Sequence, residues 1–398
     1  MGGPLTIVLL ALSGLVVVSE LYLPLPLIDT LAARYGVSTA AAGLVSSAFG
    51  YAYAVGFLIF GPLSDRFGRK PVMVGGLAAL AAASALTALT QTFDQLIAAR
   101  ALQGFAASAF PPVALAYLSD RLPQQQRLWG VAWMSTAFLT AGLAGQIYGG
   151  AFAEAGLLAA LWPAAAVYAL AALALSRLPE GHPGQAGVQL PRIFLAVPRL
   201  LTNPDLVRAY AAAFVLLLSF VAFYVALGQS RGPALAALGL NPLEVRAVAL
   251  PGMLTALSAP KLMPRLGPVR VLAGGLTIAA LALAATALVP GAPGGGGLAP
   301  LVLSVPFVAG ISVCVPALIA RVSAVASDAT RGAAVAFYTF ILFVGASTGP
   351  FVPLWVGGGL GEVWLTGDPL TGVCLVLALV LVAAAVANTA RGRRTQTA

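Results

Sequence analysis

Long apolar runs recur along the whole chain, and they limit its possible folds more than any other feature. Each run is about 20 residues long and nearly free of charge, which is the length of a helix that crosses a hydrocarbon core of about 30 Å. Of the 398 residues, 60% are hydrophobic and only 8% are charged, whereas about one residue in four is charged in a soluble domain. Because lipid cannot hydrogen-bond a peptide group, only helices and closed barrels span it. The sequence therefore predicts an all-α membrane protein.

Twelve of these runs are predicted to cross the bilayer. The eighth is crowded by Pro242, Pro251 and Pro260, and because proline interrupts helical hydrogen bonding, its start could lie several residues earlier. The predicted spans cover residues 5–28, 38–60, 72–91, 96–118, 129–152, 157–176, 209–229, 245–260, 271–289, 299–320, 333–356 and 370–390.

The lysines and arginines lie mostly on one side of these spans, with Arg34, Arg231 and Arg246 on the other. Cytoplasmic loops carry the excess of positive charge in membrane proteins, so both termini are predicted to be cytoplasmic, in a multi-pass protein of the cell (inner) membrane. The net charge of +9 is spread over these loops rather than over one soluble face, so no nucleic-acid partner is predicted. The basic residues on the cytoplasmic side are Arg66, Arg69, Lys70, Arg121, Arg127, Arg177, Arg192, Arg199, Arg208, Lys261, Arg265, Arg270, Arg321, Arg331, Arg391, Arg393 and Arg394.

The longest connection divides six spans from six. It predicts a first bundle over residues 1–176, a cytoplasmic linker over 177–208 and a second bundle over 209–398. The linker is polar and basic and holds the single histidine, His182. Around residues 190–201 it is either a helix lying on the membrane surface or a plain tether.

The two halves carry an internal repeat. Residues 61–77 align with 260–276 at a constant shift, and both segments end in Gly-Gly-Leu. A second match pairs Arg127 with Arg331 and Gly145 with Gly349. Six spans per half mean that both halves enter the membrane from the same side, so the repeats are parallel. Parallel repeats predict a substrate site near the bilayer midplane, between the halves.

The short segment between the second and third spans combines glycines with charges. Its glycines allow a sharp turn and close backbone approach. The residues concerned are Gly61, Asp65, Arg66, Gly68, Arg69 and Lys70. This pattern resembles the loop between spans two and three of the major facilitator superfamily. The resemblance covers the whole chain and implies a twelve-helix transporter made of two six-helix bundles, without a cofactor.

In that family the loop aspartate pairs with the loop arginine and faces the N-terminal end of span eleven. Here the resemblance implies that Asp65 pairs with Arg69 and faces the helix that begins near Arg331, whose positive end favours a carboxylate. The alternative is that these charges only set the topology. The second-half copy has Pro264 in place of the aspartate, so that half is predicted to lack such a latch.

Two polar residues and a glycine inside span four, together with one acid inside span one, suggest a proton-coupling site. Arg100, Gln103 and Gly104 resemble the span-four motif of proton-coupled members, and Glu20 lies where drug and sugar efflux members carry an acid. A charged arginine in hydrocarbon must find an acceptor or extend to the surface. Burial favours the neutral form of a carboxyl and a nearby cation favours the charged form, so Glu20 near Arg100 could exchange a proton. A purely structural ion pair between spans one and four is the alternative.

Spaced glycines end the fifth and eleventh spans. They are similar to the family's antiporter motif, although Gln146 stands where proline is usual. Such glycines let helices approach closely, here expected between opposite halves, and Pro350 can bend its span. Generic packing of small residues explains the pattern equally well. The residues are Gly145, Gly149, Gly150, Gly345, Gly349 and Pro350.

The predicted function is a proton-coupled exporter of lipophilic or cationic small molecules, acting as a monomer by alternating access. A uniporter or importer of sugars, nucleosides or other small metabolites is the alternative. Aromatic and weakly polar residues are the candidates for the substrate cavity, since one carboxylate among aromatic rings suits such compounds. They are Tyr22, Tyr51, Gln146, Phe220, Phe223, Tyr224, Ser312 and Tyr338.

Other classes of function find little support in the sequence. The chain has no H-E-x-x-H and no phosphate-binding G-x-x-x-x-G-K-[ST] sequence. Its one G-x-S-x-G sequence, residues 345–349, lies inside a predicted span instead of at a strand-to-helix turn, so the motifs argue against an intramembrane enzyme or an ATP-driven pump. Cys314 and Cys374 lack metal-like spacing and are predicted to be small core residues, so no metal site is expected. A channel is not excluded by motif.

Overall fold

The computed structural model describes residues 3–179, 196–289, 298–327, 330–356 and 368–389. His182, residues 190–195 of the linker, Arg192 and the three C-terminal arginines lie outside these ranges. The described residues are almost entirely helical and contain no strand. Within these ranges, eleven helices are long and apolar enough to cross a membrane. The prediction of an all-α membrane fold is therefore confirmed.

The first six spans are long helices close to their predicted positions. Span one continues past its end through a 3-10 turn, Leu25–Leu27, and the helix Ile28–Tyr35, and Thr39–Ala42 precedes span two. Span four has a break before its second segment, whose first two residues are prolines. The bounds are Gly3–Tyr22, Leu44–Phe67, Arg69–Ala88, Phe93–Ala107 with Pro111–Arg121, Gln124–Ala151 and Leu157–Ser176.

Four of the last six spans are also single long helices, and span eleven ends in short turns. A short helix, Ala196–Thr202, precedes span seven. The bounds of the spans other than the eighth are Pro204–Ala237, Pro268–Ala287, Leu298–Val325, Arg331–Thr348 followed by Gly349–Phe351 and Val352–Trp355, and Pro369–Thr389.

The predicted eighth span is not one continuous helix. The chain there forms four short helical segments: Pro242–Ala247, Leu250–Met253, the 3-10 segment Leu254–Ser258, and Ala259–Leu266. Three of them have proline in their first turn. A proline there needs no N–H donor and suits a helix start, but inside a longer helix it removes a bond and clashes with the preceding turn. The predicted span over 245–260 is therefore a series of short segments instead of one helix, and the helical run begins at Pro242, consistent with the earlier start that the prolines allowed.

The chain forms two compact units. The first comprises residues 1–199 and 327–340, and the second comprises 200–326 and 341–398. Span eleven therefore begins in the first unit and continues into the second. In the first unit, Gly61 packs on Ala336, and a Cβ added at Gly61 would lie 2.7 Å from the Ala336 Cβ.

A close approach of spans two and four sets the position of Arg100. A Cβ added to Gly104 would lie 2.9 Å from the Phe49 Cα and would overlap its carbonyl oxygen. The start of span four is fixed by a capping box between Thr92 and Gln95, which satisfies two backbone donors at the helix end. Both features orient the arginine, two turns into the helix, toward spans one and two. Cys314 and Cys374 are buried free cysteines, as predicted.

Candidate functional site

Glu20 and Arg100 meet inside the first unit. The Arg100 Nη1 donates to Glu20 Oε1 at 2.6 Å, and Nη2 donates to the Glu20 backbone carbonyl at 3.0 Å. Both side chains are 0% exposed. A buried ion pair stabilises a protein only when further hydrogen bonds satisfy the remaining polar atoms, so the surroundings of this pair decide what it can do.

Both carboxylate oxygens of Glu20 have donors. Oε1 also lies 3.3 Å from the Gln103 Nε2, and Oε2 accepts from the Tyr168 hydroxyl at 2.6 Å. Gln103 in turn donates to the Ser84 hydroxyl at 2.8 Å. Hydrogen bonds to a carboxylate are about twice as strong as neutral ones.

Arg100 also has neutral acceptors besides the carboxylate. It donates to Gln103 Oε1 at 3.0 Å and to the Val45 carbonyl at 3.3 Å. Its guanidinium lies over the Phe49 ring, 4.5 Å from the centroid, a favourable position for a cation. The guanidinium would therefore keep hydrogen-bond acceptors after neutralisation of Glu20, although the pocket would then hold an uncompensated positive charge.

Glycines of span five bring it against span one, next to Glu20. A Cβ at Gly145 would lie 3.0 Å from the Ser19 carbonyl carbon and would overlap its oxygen, and one at Gly149 would meet Pro26 at 3.0 Å. Among the described residues, no atom outside the surrounding helix backbone lies within 4 Å of a Cβ at Gly150. Two of the three predicted glycines therefore allow a helix contact, and the third does not.

We expect Gly145→Ala to lower stability and Gly150→Ala to raise it. Forcing a methyl group into a packed helix contact costs about 1–3 kcal/mol, whereas alanine in an open helix position is about 1 kcal/mol better than glycine. Thermal unfolding of the two purified variants in the same detergent tests this matched pair. Equal melting temperatures would show that the close approach of spans one and five contributes nothing.

The glycines of span eleven make the same kind of contact within the second unit. A Cβ at Gly345 would lie 3.0 Å from the Phe214 carbonyl carbon, and one at Gly349 would lie 2.7 Å from the Val221 Cβ. Pro350 lies in a 3-10 turn, Gly349–Phe351, that ends the α-helix. The expected approach between opposite halves is wrong for these glycines: span five contacts span one, and span eleven contacts span seven.

In the charged segment at the end of span two, Arg69 is the centre of a network of ion pairs and hydrogen bonds. Arg69 forms an ion pair with Asp65, donates to the Ser64 hydroxyl at 2.6 Å, and donates to Asp120 at 3.1 Å. Gly68 turns the chain with a φ of 95°, a conformation that favours glycine. The structure thus brings together Asp65 and Arg69 as the sequence suggested, and it adds Asp120 from the end of span four.

Asp65 also lies against the start of span eleven. A Cβ added to Gly332 would lie 2.7 Å from an Asp65 carboxylate oxygen, so the carboxylate reaches the first turn of the helix that begins at Arg331. Arg66 is exposed, with its guanidinium over the Phe67 ring at 5.3 Å, and Lys70 is half-buried.

The residues predicted to line a cavity lie in both units. Phe220, Phe223 and Tyr224 pack together, with Phe223 4.9 Å from the Phe307 ring. Among the remaining candidates, Tyr22 and Gln146 are half-buried and lie beside Gly142, and Tyr51 is 60% exposed.

Three of the cavity candidates have essentially no exposed surface. These are Phe223, Ser312 and Tyr338. A side chain without exposed surface cannot line an open cavity, so the assignment of these three is wrong for this conformation.

Sequence reasoning missed Tyr168, Ser84 and Asp120. Tyr168 is the only tyrosine of the otherwise apolar span six. Since a buried tyrosine hydroxyl usually finds a partner, its isolation was the available signal. Ser84 gave no signal, because a serine in a membrane helix can bond to its own backbone.

A family model described as Major Facilitator Superfamily matches residues 10–350. The inner membrane transport protein YajR of Escherichia coli (strain K12) is 40% identical over 119 residues, which are 30% of this chain and 26% of that protein. Multidrug resistance protein 3 of Bacillus subtilis (strain 168) is 37% identical over 83 residues, 21% of this chain and 16% of that protein. The chain thus aligns with about a quarter or less of these relatives' lengths.

A solved structure shares the fold over the full length. The crystal structure of the human organic anion transporter MFSD10 (TETRAN) superposes with a TM-score of 0.69 and 17% identity, covering 98% of this chain and 100% of that one.

Proposed function

Because the chain belongs to the Major Facilitator Superfamily, we propose that it is a proton-coupled transporter that exports small molecules by alternating access. The observation that carries the proposal is the buried pair of Glu20 and Arg100, in which the arginine has neutral acceptors in addition to the carboxylate. Two six-helix bundles, residues 1–176 and 209–398, are the moving parts. Residues 177–208 connect them on the cytoplasmic side, and the protein works as a monomer.

Protonation of Glu20 is the step that couples the proton to the conformational change. With Glu20 charged, the pocket is neutral overall and stable without water. With Glu20 neutral, Arg100 remains as an unpaired charge in a buried site, which is strongly destabilising. The protonated protein therefore favours a conformation in which water reaches Arg100, and loss of the proton favours the closed arrangement again.

The proposed topology has both termini in the cytoplasm. This topology is supported by the excess of basic residues on the predicted cytoplasmic side. Arg231 is one of the three that lie on the other side. Arg231 forms a two-point ion pair with Asp368, at 2.6 and 3.2 Å, so its charge is offset at that end of the helix.

Lipophilic or cationic compounds are the proposed substrates, and outward transport is the proposed direction. The similarity to a multidrug resistance protein over 83 residues supports both. An importer or uniporter of sugars, nucleosides or other metabolites is the alternative on the same fold.

Transport by the purified protein in liposomes tests the proposal. We expect an imposed pH gradient to drive accumulation of ethidium, a lipophilic cation. We also expect unlabelled substrate loaded inside the liposomes to accelerate the uptake of labelled substrate, and the uptake rate to saturate as the substrate concentration rises. Labelled glucose and uridine are the comparison compounds. Movement that only equilibrates, with no effect of the pH gradient, would indicate a uniporter, and movement without saturation or counterflow would indicate a channel.

The network around Arg69, which includes Asp65, Ser64 and Asp120, is proposed to stabilise one conformation of the transport cycle. We expect Asp65→Asn to slow transport about fivefold, because removal of a partly buried ion pair changes the balance between two states by roughly 1 kcal/mol. Initial rates in liposomes measure the effect. Asp94→Asn is the control, since Asp94 is an exposed acid at the start of span four, and a normal rate for Asp65→Asn would leave the charges a role in topology only.

A further inference from the structure

Tyr168 donates a short hydrogen bond to Glu20 and has a second acceptor within reach. Its hydroxyl lies 2.6 Å from Glu20 Oε2 and 3.3 Å from the Val16 carbonyl, one helical turn before Glu20. The side chain is buried, on span six. We infer that Tyr168 is a positioning residue that lets Glu20 gain and lose a proton without leaving a buried polar atom unpaired. The inference rests on the proposed function and goes one step beyond it.

The charged state of Glu20 fixes the direction of this hydrogen bond. A carboxylate has no proton and can only accept, so the Tyr168 hydroxyl must be the donor to Oε2. Arg100 and Gln103 supply the donors to Oε1. Both oxygens are thus satisfied while Glu20 is charged.

Protonation of Oε2 reverses the roles. The incoming proton bonds to Oε2, which then becomes a donor to the Tyr168 oxygen. The Tyr168 hydroxyl rotates about its C–O bond and donates to the Val16 carbonyl, which has a second lone pair available. Tyr168 neither gains nor loses a proton, and release of the proton from Oε2 restores the first arrangement.

Among the described residues, the groups that other helices place near Glu20 cannot act as both donor and acceptor at Oε2. Arg100 of span four has no acceptor atom, and it faces Oε1. The Tyr148 hydroxyl of span five donates to the Ala160 carbonyl at 2.7 Å. Tyr168 is the group with both a donor and an acceptor at Oε2.

Infrared difference spectroscopy of the full chain in liposomes tests the inference with protons alone. Acidification should produce the carbonyl stretch of a protonated carboxyl, which is assigned to Glu20 by its loss in Glu20→Gln. In Tyr168→Phe, this band should appear at a pH roughly half to one unit higher, because the carboxylate loses a stronger hydrogen bond than the neutral acid does. The band should also move to higher frequency, because the carboxyl has lost its acceptor.

Tyr148→Phe is the matched control and should leave both the midpoint and the frequency unchanged. If Tyr168→Phe purifies poorly, Tyr168→Phe on the Glu20→Gln background shows whether the two side chains are coupled in thermal unfolding, and additive effects would overturn the inference. An unchanged midpoint and frequency in Tyr168→Phe would also overturn it, while the proposed function would stand. If Glu20→Gln removes no band, no proton binds at Glu20, and the proposed function fails with the inference.

Discussion

Replacing Glu20 by glutamine is expected to abolish transport driven by a pH gradient while substrate counterflow continues. Glutamine has nearly the shape of glutamic acid and still accepts a hydrogen bond from Arg100, but it cannot carry a proton. Accumulation in liposomes should fall to the level without a gradient. Because Arg100 would be left buried without its anion, the free energy of unfolding should also fall, by about 3 kcal/mol. Arg100 keeps its neutral acceptors on Gln103 and Val45, so this loss should be smaller than the loss caused by removing Arg100.

The control for this change is Glu154→Gln, because Glu154 is an exposed acid in the loop after span five. Liposomes with the Glu154→Gln variant should accumulate as much substrate as liposomes with the unchanged protein. If accumulation by the Glu20→Gln variant still depends fully on the pH gradient while its melting temperature falls, Glu20 does not couple the proton to transport. That result would instead favour a structural ion pair between spans one and four.

Removal of Arg100 is expected to have the largest effect on stability. In Arg100→Met, the Glu20 carboxylate would stay buried without its cation, which typically costs about 3–5 kcal/mol. Adding Glu20→Gln should recover a large part of this loss, because no buried charge then remains. Thermal unfolding in detergent of the two single variants and the double variant measures this coupling.

Arg34→Met is the matched control for the loss of Arg100. Arg34 is exposed at the end of the helix that follows span one, so its replacement should change the melting temperature little. If the double variant Glu20→Gln/Arg100→Met melts no higher than Arg100→Met, the two charges are not energetically coupled. The claim that an unpaired charge in this buried pocket destabilises the protein would then be wrong.

The amino-acid sequence by itself determined the membrane fold. Apolar length and loop charge can be read from short stretches of sequence, and the internal repeat from comparing two of them, so these features located eleven spans and the segment from Gly61 to Lys70 without knowledge of the packing. They also placed Glu20 and Arg100 inside spans, where burial required each to find a partner. The eighth span is the exception, because its prolines allow several helical breaks.

Only the tertiary structure decided which side chains meet. The rotation of each helix about its axis depends on its neighbours, which no single apolar run records. For this reason Tyr168 and Asp120 were missed, Gly145 contacts span one instead of the opposite half, and Phe223 is part of the protein core instead of a cavity. The pairing of Glu20 with Tyr168, 148 residues apart in the chain, arises from the packing of span one against span six.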